Sequence, residues 1–270
     1  MKIVRWICLL IATVLFLLPF YLLLRNGLST RAEITAPDWK LFPDTVHWEN
    51  FGTLFGNSEV PFARSLLNSV VVALLQTVGL LLICSLAGYG LARIPYRHSK
   101  KVFYAVIATL MIPTSVTFVP SFVVVSSLGW ISDLRGLIIP GLFSAFSVFL
   151  FRQYFLDFPA ELEEAGRLDG LTRWGVFWRI VAPNSLGFFA ALAVITFIGS
   201  WNAFLWPLII AQDPSSWTVQ VALSGLLTAQ NPQLNLLFLA AAVSILPIVL
   251  LFVFLQRYLV QGVAESGLKG

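Results

Sequence analysis

Six stretches of this chain are apolar over lengths that match the thickness of a lipid bilayer, and that decides most of what it can fold into. They cover residues 6–24, 66–91, 102–126, 136–155, 184–210 and 234–255. About 20 consecutive apolar residues carry a helix across the hydrocarbon core. The connections between them are too short for a separate soluble domain. Residues 26–64, the longest of them, carry Asp38-Trp39, Phe42-Pro43 and Trp48-Glu49-Asn50-Phe51 in an irregular order. With 58% hydrophobic and only 11% charged residues in 270, and a mean hydropathy of +0.86, the chain lies far outside the range of soluble domains. The expected fold is an all-α membrane protein, with six transmembrane helices in a single domain over 1–270.

Three of the runs need comment. Lys2 and Arg5 precede the first, Trp6 to Leu24. A cleaved signal peptide is the alternative there, but the run is long and no small-x-small cleavage site follows, which favours a retained anchor. The third contains Pro113 and Pro120, which membrane helices tolerate when neighbours repair the freed carbonyls. The fourth, Gly136 to Phe151, is short and contains Pro140, so the helix is expected to continue past Arg152 or its ends to snorkel.

Cation counting orients this layout. Lys2, Arg5, Arg93, Arg97, Lys100, Lys101, Arg152, Arg167, Arg173, Arg179, Arg257 and Lys269 fall on one side, twelve of the 17 basic residues. Arg25, Arg31, Lys40, Arg64 and Arg135 fall on the other. The positive-inside rule therefore places both termini and the loop over 157–183 in the cytoplasm. The net charge of +4 is spread over loop ends without interleaved aromatics, which argues for orientation signals and against nucleic-acid binding.

No Asp, Glu, Lys, Arg or His falls within the apolar runs, with the fourth counted to Phe151. Carriers driven by protons usually keep such groups at membrane depth despite their cost. The energy for any transport should then come from elsewhere. Yet no G-x-x-x-x-G-K-[ST] phosphate loop is present, so the chain is not itself a nucleotide motor. Cys8 and Cys84 sit in apolar runs without C-x-x-C spacing, and His47 and His98 have no nucleophile or carboxylate placed to work with them. Neither a metal site nor a catalytic constellation is legible, and no enzyme activity is expected.

The loop over 157–183 is the polar exception. Pro159 suits a first helical position, and Glu161, Glu163 and Glu164 follow where the helix dipole favours negative charge. Glu163 and Arg167 are spaced for an i,i+4 pair. Gly170 ends that helix in a conformation open to positive φ. Thr172 can cap a second helix on which Trp174, Phe177, Trp178 and Val181 form one apolar face, and Pro183 is expected to stop it.

The spacing within this loop is specific. Glu164-Ala165-Gly166, three residues, Gly170, nine residues, then Ile180-x-x-Pro183 resembles the EAA loop of the membrane subunits of ATP-binding-cassette importers. Gly166 stands where a second alanine is usual and Ala182 where leucine is usual. The likeness extends along the chain and is strongest to the smaller permease subunit of maltose-type sugar importers. It is carried by Asn68-Ser69, Met111-Ile112-Pro113, Gly136-Leu137-Ile138-Ile139-Pro140, Gly199-Ser200-Trp201-Asn202 with Trp206-Pro207, and Gln256-Arg257-Tyr258 through Gly262 to Lys269-Gly270.

That resemblance implies a multi-pass protein of the cytoplasmic (inner) membrane and a particular set of partners. These are a second, non-identical permease subunit, two ATPase subunits and an extracytoplasmic solute-binding protein, with a sugar or oligosaccharide as the cargo. It implies no cofactor on this chain, ATP and Mg being held by the ATPases. Glu164, Ala165, Gly166, Asp169, Gly170, Ile180 and Pro183 would then form the coupling helix that docks on an ATPase, and the tail after Arg257 would be a further contact. A sugar path needs hydrogen-bonding groups and flat apolar faces, for which Asn68, Gln76, Ser115, Ser144, Ser200, Trp201 and Asn202 are the candidates; interhelical bonding or packing is their alternative role. A permease for a charged solute such as glycerol phosphate or a polyamine, a stand-alone carrier and a scaffold remain as competing readings.

Overall fold

The computed structural model describes residues 2–228 and 232–267, with side chains from 3 to 228 and 232 to 257. No β-strand occurs among the described residues. In chain order the helices are α1 (Lys2–Gly27), α2 (Arg31–Thr35), α3 (Glu49–Phe55), α4 (Phe62–Arg93), α5 (Ser99–Thr109), α6 (Thr114–Ser127), α7 (Leu134–Ile138) and α8 (Ala145–Leu156). There follow α9 (Ala160–Leu168), α10 (Arg173–Val176), α11 (Ala182–Asn184), α12 (Leu186–Trp201), α13 (Leu205–Ile210), α14 (Val219–Thr228) and α15 (Leu234–Gly267). Four segments are long and apolar enough to cross a membrane: Ile3–Gly27, Phe62–Arg93, Leu134–Leu156 and Leu234–Arg257. Two bent pairs, Ser99–Thr109 with Thr114–Ser127 and Arg173–Asn184 with Leu186–Trp201, bring the count to six if each is one span.

The third span, 102–126, is interrupted at one of its two prolines. It turns by 95° between α5 and α6. Pro113 has an extended ψ of 138°, and a proline also pushes the residue before it out of the α region. Pro120 lies inside α6 without breaking it. The fifth apolar run, 184–210, is likewise interrupted, α12 ending at Trp201 and α13 beginning at Leu205. The fourth does run past Arg152, as expected, to Leu156. Its Arg152 guanidinium lies 4.0 Å from the Phe103 ring centroid, a cation–π contact near the end of the span.

The chain divides into two compact units, residues 1–69 with 212–249 and residues 70–211 with 250–270. In the first, polar side chains tie loops to helices. The Asn50 amide donates to the carbonyls of Gly27 and Ser29, and Asn235 donates to Asn50 Oδ1. Around these ties Leu54, Phe62, Val219, Ala222, Leu236 and Leu239 are buried. Most of α1 presents its side chains outward, Ile3, Trp6, Leu10 and Phe16 among them, as a helix facing lipid would.

The second unit holds its core where α4, α8, α12 and the polar loop meet. Leu80, Cys84, Tyr89, Val148, Phe151, Phe155, Phe177, Val181 and Leu192 form one buried cluster. The crossing of α4 and α8 is close enough to require glycine. A Cβ on Gly88 would lie 2.6 Å from Phe151 Cβ and 2.9 Å from the Arg152 nitrogen.

Candidate functional site

The bent loop is built from two short helices and a glycine turn. Pro159 precedes α9, which carries Glu161 and Glu163 in its first turn and Arg167 in its last, in accord with the helix dipole. The end of α9 is a Schellman motif. Gly170 adopts φ +84°, its N–H bonds to the Arg167 carbonyl at 3.0 Å, and the Leu171 N–H reaches back to Gly166 at 3.0 Å. Thr172 then caps the next helix by accepting from the Gly175 N–H at 3.2 Å.

That second helix departs from the expectation in two respects. Residues 177–181 form a π turn, with the Ala182 N–H bonded to the Phe177 carbonyl. The extra residue in the turn shifts the side-chain register. Val176, Phe177 and Val181 are buried, whereas Trp174 is 61% and Trp178 39% exposed. The four residues do not share one apolar face. The helix ends at Asn184, one residue past Pro183, and the chain then bends by 77°.

Glu163 is the residue the sequence placed on the surface and the structure buries. It is 2% exposed. One carboxylate oxygen, Oε2, accepts from the Tyr89 hydroxyl at 3.0 Å and lies 3.5 Å from Arg167 Nη2, so the expected pair forms but is the weaker contact. The other, Oε1, lies 3.1 Å from Arg93 Nε without a hydrogen bond, because that N–H is directed at the Phe155 carbonyl, 2.7 Å away. Arg93 Nη2 also donates to the Phe158 carbonyl. A cation at the C-terminus of α8 meets orphan carbonyls and the negative end of the helix dipole. Arg93 thereby joins the end of α4, the end of α8 and the first turn of α9.

Aromatic packing completes the root of the loop. The Tyr89 ring lies 5.6 Å from Phe155 and 5.0 Å from Phe177, and Phe155 lies 6.1 Å from Phe177. The loop is thus not an appended flap, because part of the unit's core is made from it.

Residues of the motif divide by role. Gly166 and Ile180 are structural partners: a Cβ on Gly166 would stand 2.3 Å from Ile180 Cδ1, so the tip of the isoleucine packs directly over the glycine. Glu164, Ala165, Asp169, Gly170 and Pro183 are exposed. Between them Leu168 projects with 89% of its surface exposed, an apolar knob at the bend that the motif pattern gave no reason to select. Its exposure follows from the inward face of α9, which the burial of Glu163 and Gly166 fixes and which the sequence alone did not reveal.

The residues expected along a sugar path scatter. Asn68 is 6% exposed and donates to the carbonyls of Ser215 and Trp217, both at 2.9 Å, while neighbouring Ser69 accepts from the Val219 N–H. Trp201 is 2% exposed and stacked on Phe197. For these two, bonding and packing is the role the geometry supports. Ser144 caps α8, Ser115 and Asn202 are exposed, and Ser200 Oγ is buried without a hydrogen-bond partner. Gln76 donates to the Leu137 carbonyl at 2.7 Å and borders a cavity. Pro140, Gly136 and Trp206, singled out only as motif residues, lie nearby: Trp206 Nε1 donates to the Gly136 carbonyl at 3.0 Å. Tyr258 to Gly270, with the proposed tail contact, lie outside the described side chains.

Comparisons with known proteins agree with this architecture. Residues 85–265 match the model of the family described as binding-protein-dependent transport system inner membrane component. The arabinooligosaccharides transport system permease protein of Bacillus subtilis is 33% identical over 260 residues, 96% of this chain and 92% of that protein. The lactose transport system permease protein of Rhizobium radiobacter is 32% identical over 264 residues, 98% and 95% of the two chains. The sn-glycerol-3-phosphate transport system permease protein of Yersinia pestis is 33% identical over 266 residues, 96% and 95% of the two. In fold, the chain resembles one from a bacterial ABC transporter involved in the import of the acidic polysaccharide alginate, with a TM-score of 0.83 over 95% of each chain at 21% identity. With two thirds of its length under the family model and relatives at this identity along nearly all of it, the chain belongs to the inner-membrane components of binding-protein-dependent transport systems, as a multi-pass permease of the ATP-binding-cassette importer type.

Proposed function

We propose that this chain is one of two non-identical membrane-spanning halves of an importer that moves a sugar or oligosaccharide by alternating access. Two ATPase subunits supply the work and an extracytoplasmic binding protein delivers the cargo. ATP and Mg belong to the ATPases. Both termini and the loop over 157–183 face the cytoplasm, a placement supported by the twelve-to-five division of basic residues.

The observation that carries the reading is the rooting of the loop. A lever must be stiff, exposed at its tip and continuous with what it moves. Here the tip presents Glu164, Ala165, Leu168, Asp169 and Gly170, and the root is locked to the ends of α4 and α8 through Glu163, Tyr89 and Arg93. Since α4 is 32 residues long, about 48 Å at 1.5 Å per residue, a displacement of the tip is passed rigidly to a helix longer than the bilayer core. Leu168 is suited to fill an apolar cleft on the ATPase, with the acids around it pairing to basic residues at the rim.

The test is uptake in proteoliposomes holding the assembled complex and its binding protein. Uptake that needs ATP and stops when this chain is omitted is expected. Uptake by the chain alone without ATP would sink the proposal. The relatives assigned to glycerol phosphate favour a second reading, an anionic cargo; competition by sn-glycerol 3-phosphate against a neutral oligosaccharide separates the two.

A further inference from the structure

A cavity of about 280 Å³ opens within the second unit beside the break in the third span, lined by Gln76, Thr114, Thr117, Phe118, Ser121, Leu137, Pro140, Gly141 and Trp206. Its floor is built with some care. Gln76 crosses from α4 to the Leu137 carbonyl over Gly141, where a Cβ would stand 2.4 Å from Gln76 Nε2. Only glycine leaves the amide that room. Trp206, two residues into α13, is held by its bond to Gly136 and meets Phe118 edge to face at 5.5 Å.

Helix α6 supplies the rest, and its two faces differ in kind. Thr114, Thr117, Phe118 and Ser121 are spaced i, i+3, i+4 and i+7, which puts them on one face. Val116, Val119 and Val123 lie on the opposite face and are 62%, 65% and 58% exposed. Valines suit lipid; a stripe of hydroxyls does not need to face it. The Thr117 hydroxyl donates to the Thr114 carbonyl, a local bond common for hydroxyls in membrane helices. The Thr114 and Ser121 hydroxyls and the Gln76 carbonyl oxygen make no hydrogen bond among the described residues.

The chemistry is that of a neutral polyol. The aromatic rings of Trp206 and Phe118 offer apolar faces of the kind that the C–H faces of a pyranose stack on. The hydroxyls can both give and take hydrogen bonds, and the Gln76 amide oxygen can accept them. No charged side chain lines the cavity, so a phosphate or carboxylate would lose its hydration with nothing to replace it. The position also fits: binding groups collect where membrane helices are discontinuous, and this cavity adjoins the breaks at 110–113 and 202–204.

We infer that this cavity is a subsite through which the present subunit itself contacts a neutral saccharide during translocation. The inference rests on the import reading above. Its groups include Thr114, Thr117, Phe118, Ser121 and Trp206, none of which was among the path candidates of the sequence.

The complex is reconstituted in liposomes after purification in a detergent without a sugar headgroup, together with its binding protein. Two measurements are made: uptake of the saccharide that the binding protein carries, and ATP hydrolysis stimulated by the loaded binding protein. Ser121→Phe fills the cavity and should lower uptake by about ten-fold or more while stimulated hydrolysis stays within about two-fold. The double variant Thr117→Val, Ser121→Ala removes two hydroxyls at little change in volume and should lower uptake by about three- to ten-fold, as expected for a lost hydrogen bond or two. Val119→Phe, on the valine face, serves as the control and should leave both readouts unchanged. Should Ser121→Phe fail to assemble, the double variant decides. Wild-type saccharide uptake that the variants leave within about two-fold overturns the subsite and leaves the import reading standing. A wild-type complex that carries sn-glycerol 3-phosphate and no neutral sugar overturns the reading beneath it, and the saccharide assignment with it.

Discussion

Replacing Glu163 and Glu164 separately should give opposite phenotypes, although the two are adjacent and chemically identical. Glu163→Ala removes the acceptor of the Tyr89 hydroxyl and the anion beside Arg93. Breaking a buried pair by removing one partner costs about 3–5 kcal/mol, chiefly through the charge left behind. Arg93 is 18% exposed in its side chain and keeps the Phe155 and Phe158 carbonyls, which favours the low end. Arg167, 47% exposed, adds little, as surface pairs do. A loss of about 3 kcal/mol, at about 2–4 °C per kcal/mol for a domain of this size, lowers Tm by about 6–12 °C. Glu164→Ala touches no such network and should stay within about 0.5 kcal/mol. Its effect should appear instead as lost ATP-driven uptake at unchanged Tm. Thermal unfolding of the detergent-solubilised complex, followed beside proteoliposome uptake, reads both quantities. If Glu163→Ala moves Tm by less than about 2 °C, or Glu164→Ala moves it as far, the division into anchor and contact is wrong. A double-mutant cycle with Tyr89→Phe adds a check, since the two changes should fall short of additive by about 1 kcal/mol.

Four further outcomes are expected. Gly170→Val should stop uptake while the protein still inserts, because a β-branched residue at φ +84° costs about 1–2 kcal/mol even though no atom lies within 4 Å of the new Cβ; Gly170→Asn, which tolerates that conformation, should keep most of the uptake, and equal loss in both variants would contradict the backbone argument. Gly88→Val should separate α4 from α8 and lower stability by about 1–3 kcal/mol, measured as Tm, with no loss pointing to a crossing less close than 2.6 Å. Asp169→Cys, in a background without Cys8 and Cys84, should react with a membrane-impermeant maleimide only once cells are permeabilised; labelling of intact cells would reverse the orientation. The short helix α2 should loosen on acidification. Backbone bonding from Thr30 holds the Glu33 carboxyl below its usual value, so its cap is complete above the ordinary glutamate range and is lost as the pH falls through the lowered value. Protection factors of the amides over 30–35, taken against the intrinsic exchange rate at each pH, should therefore fall as the pH drops below about 5, and constant protection factors would exclude the cap.

The spacing of Glu164, Gly170, Ile180 and Pro183 was enough to locate the loop, its bend and its helix starts, because capping, proline and glycine act within a few residues. The same locality explains the membrane class: run length and the absence of charge report on solvent, not on partners in space. Where neighbours decide, the sequence pattern leaves the outcome open. Trp174, Phe177, Trp178 and Val181 read as one apolar face by ordinary helical spacing, yet Phe177 and Val181 are buried while Trp174 and Trp178 stay exposed. Asn68 and Trp201 were open between a solute path and interhelical bonding or packing; in the fold Asn68 is held by backbone carbonyls some 150 positions away in the chain and Trp201 packs on Phe197.

What the chain determined alone is that it must sit in lipid as a bundle of apolar helices with one polar, bent loop, since each of those properties is set by residues close together along it. What only the folded chain decided is which glutamate is buried, where two spans break, and that Gln76, Thr117, Phe118 and Trp206 enclose one cavity. Those outcomes depend on which distant groups come within hydrogen-bond or van der Waals range, and no short-range rule encodes that.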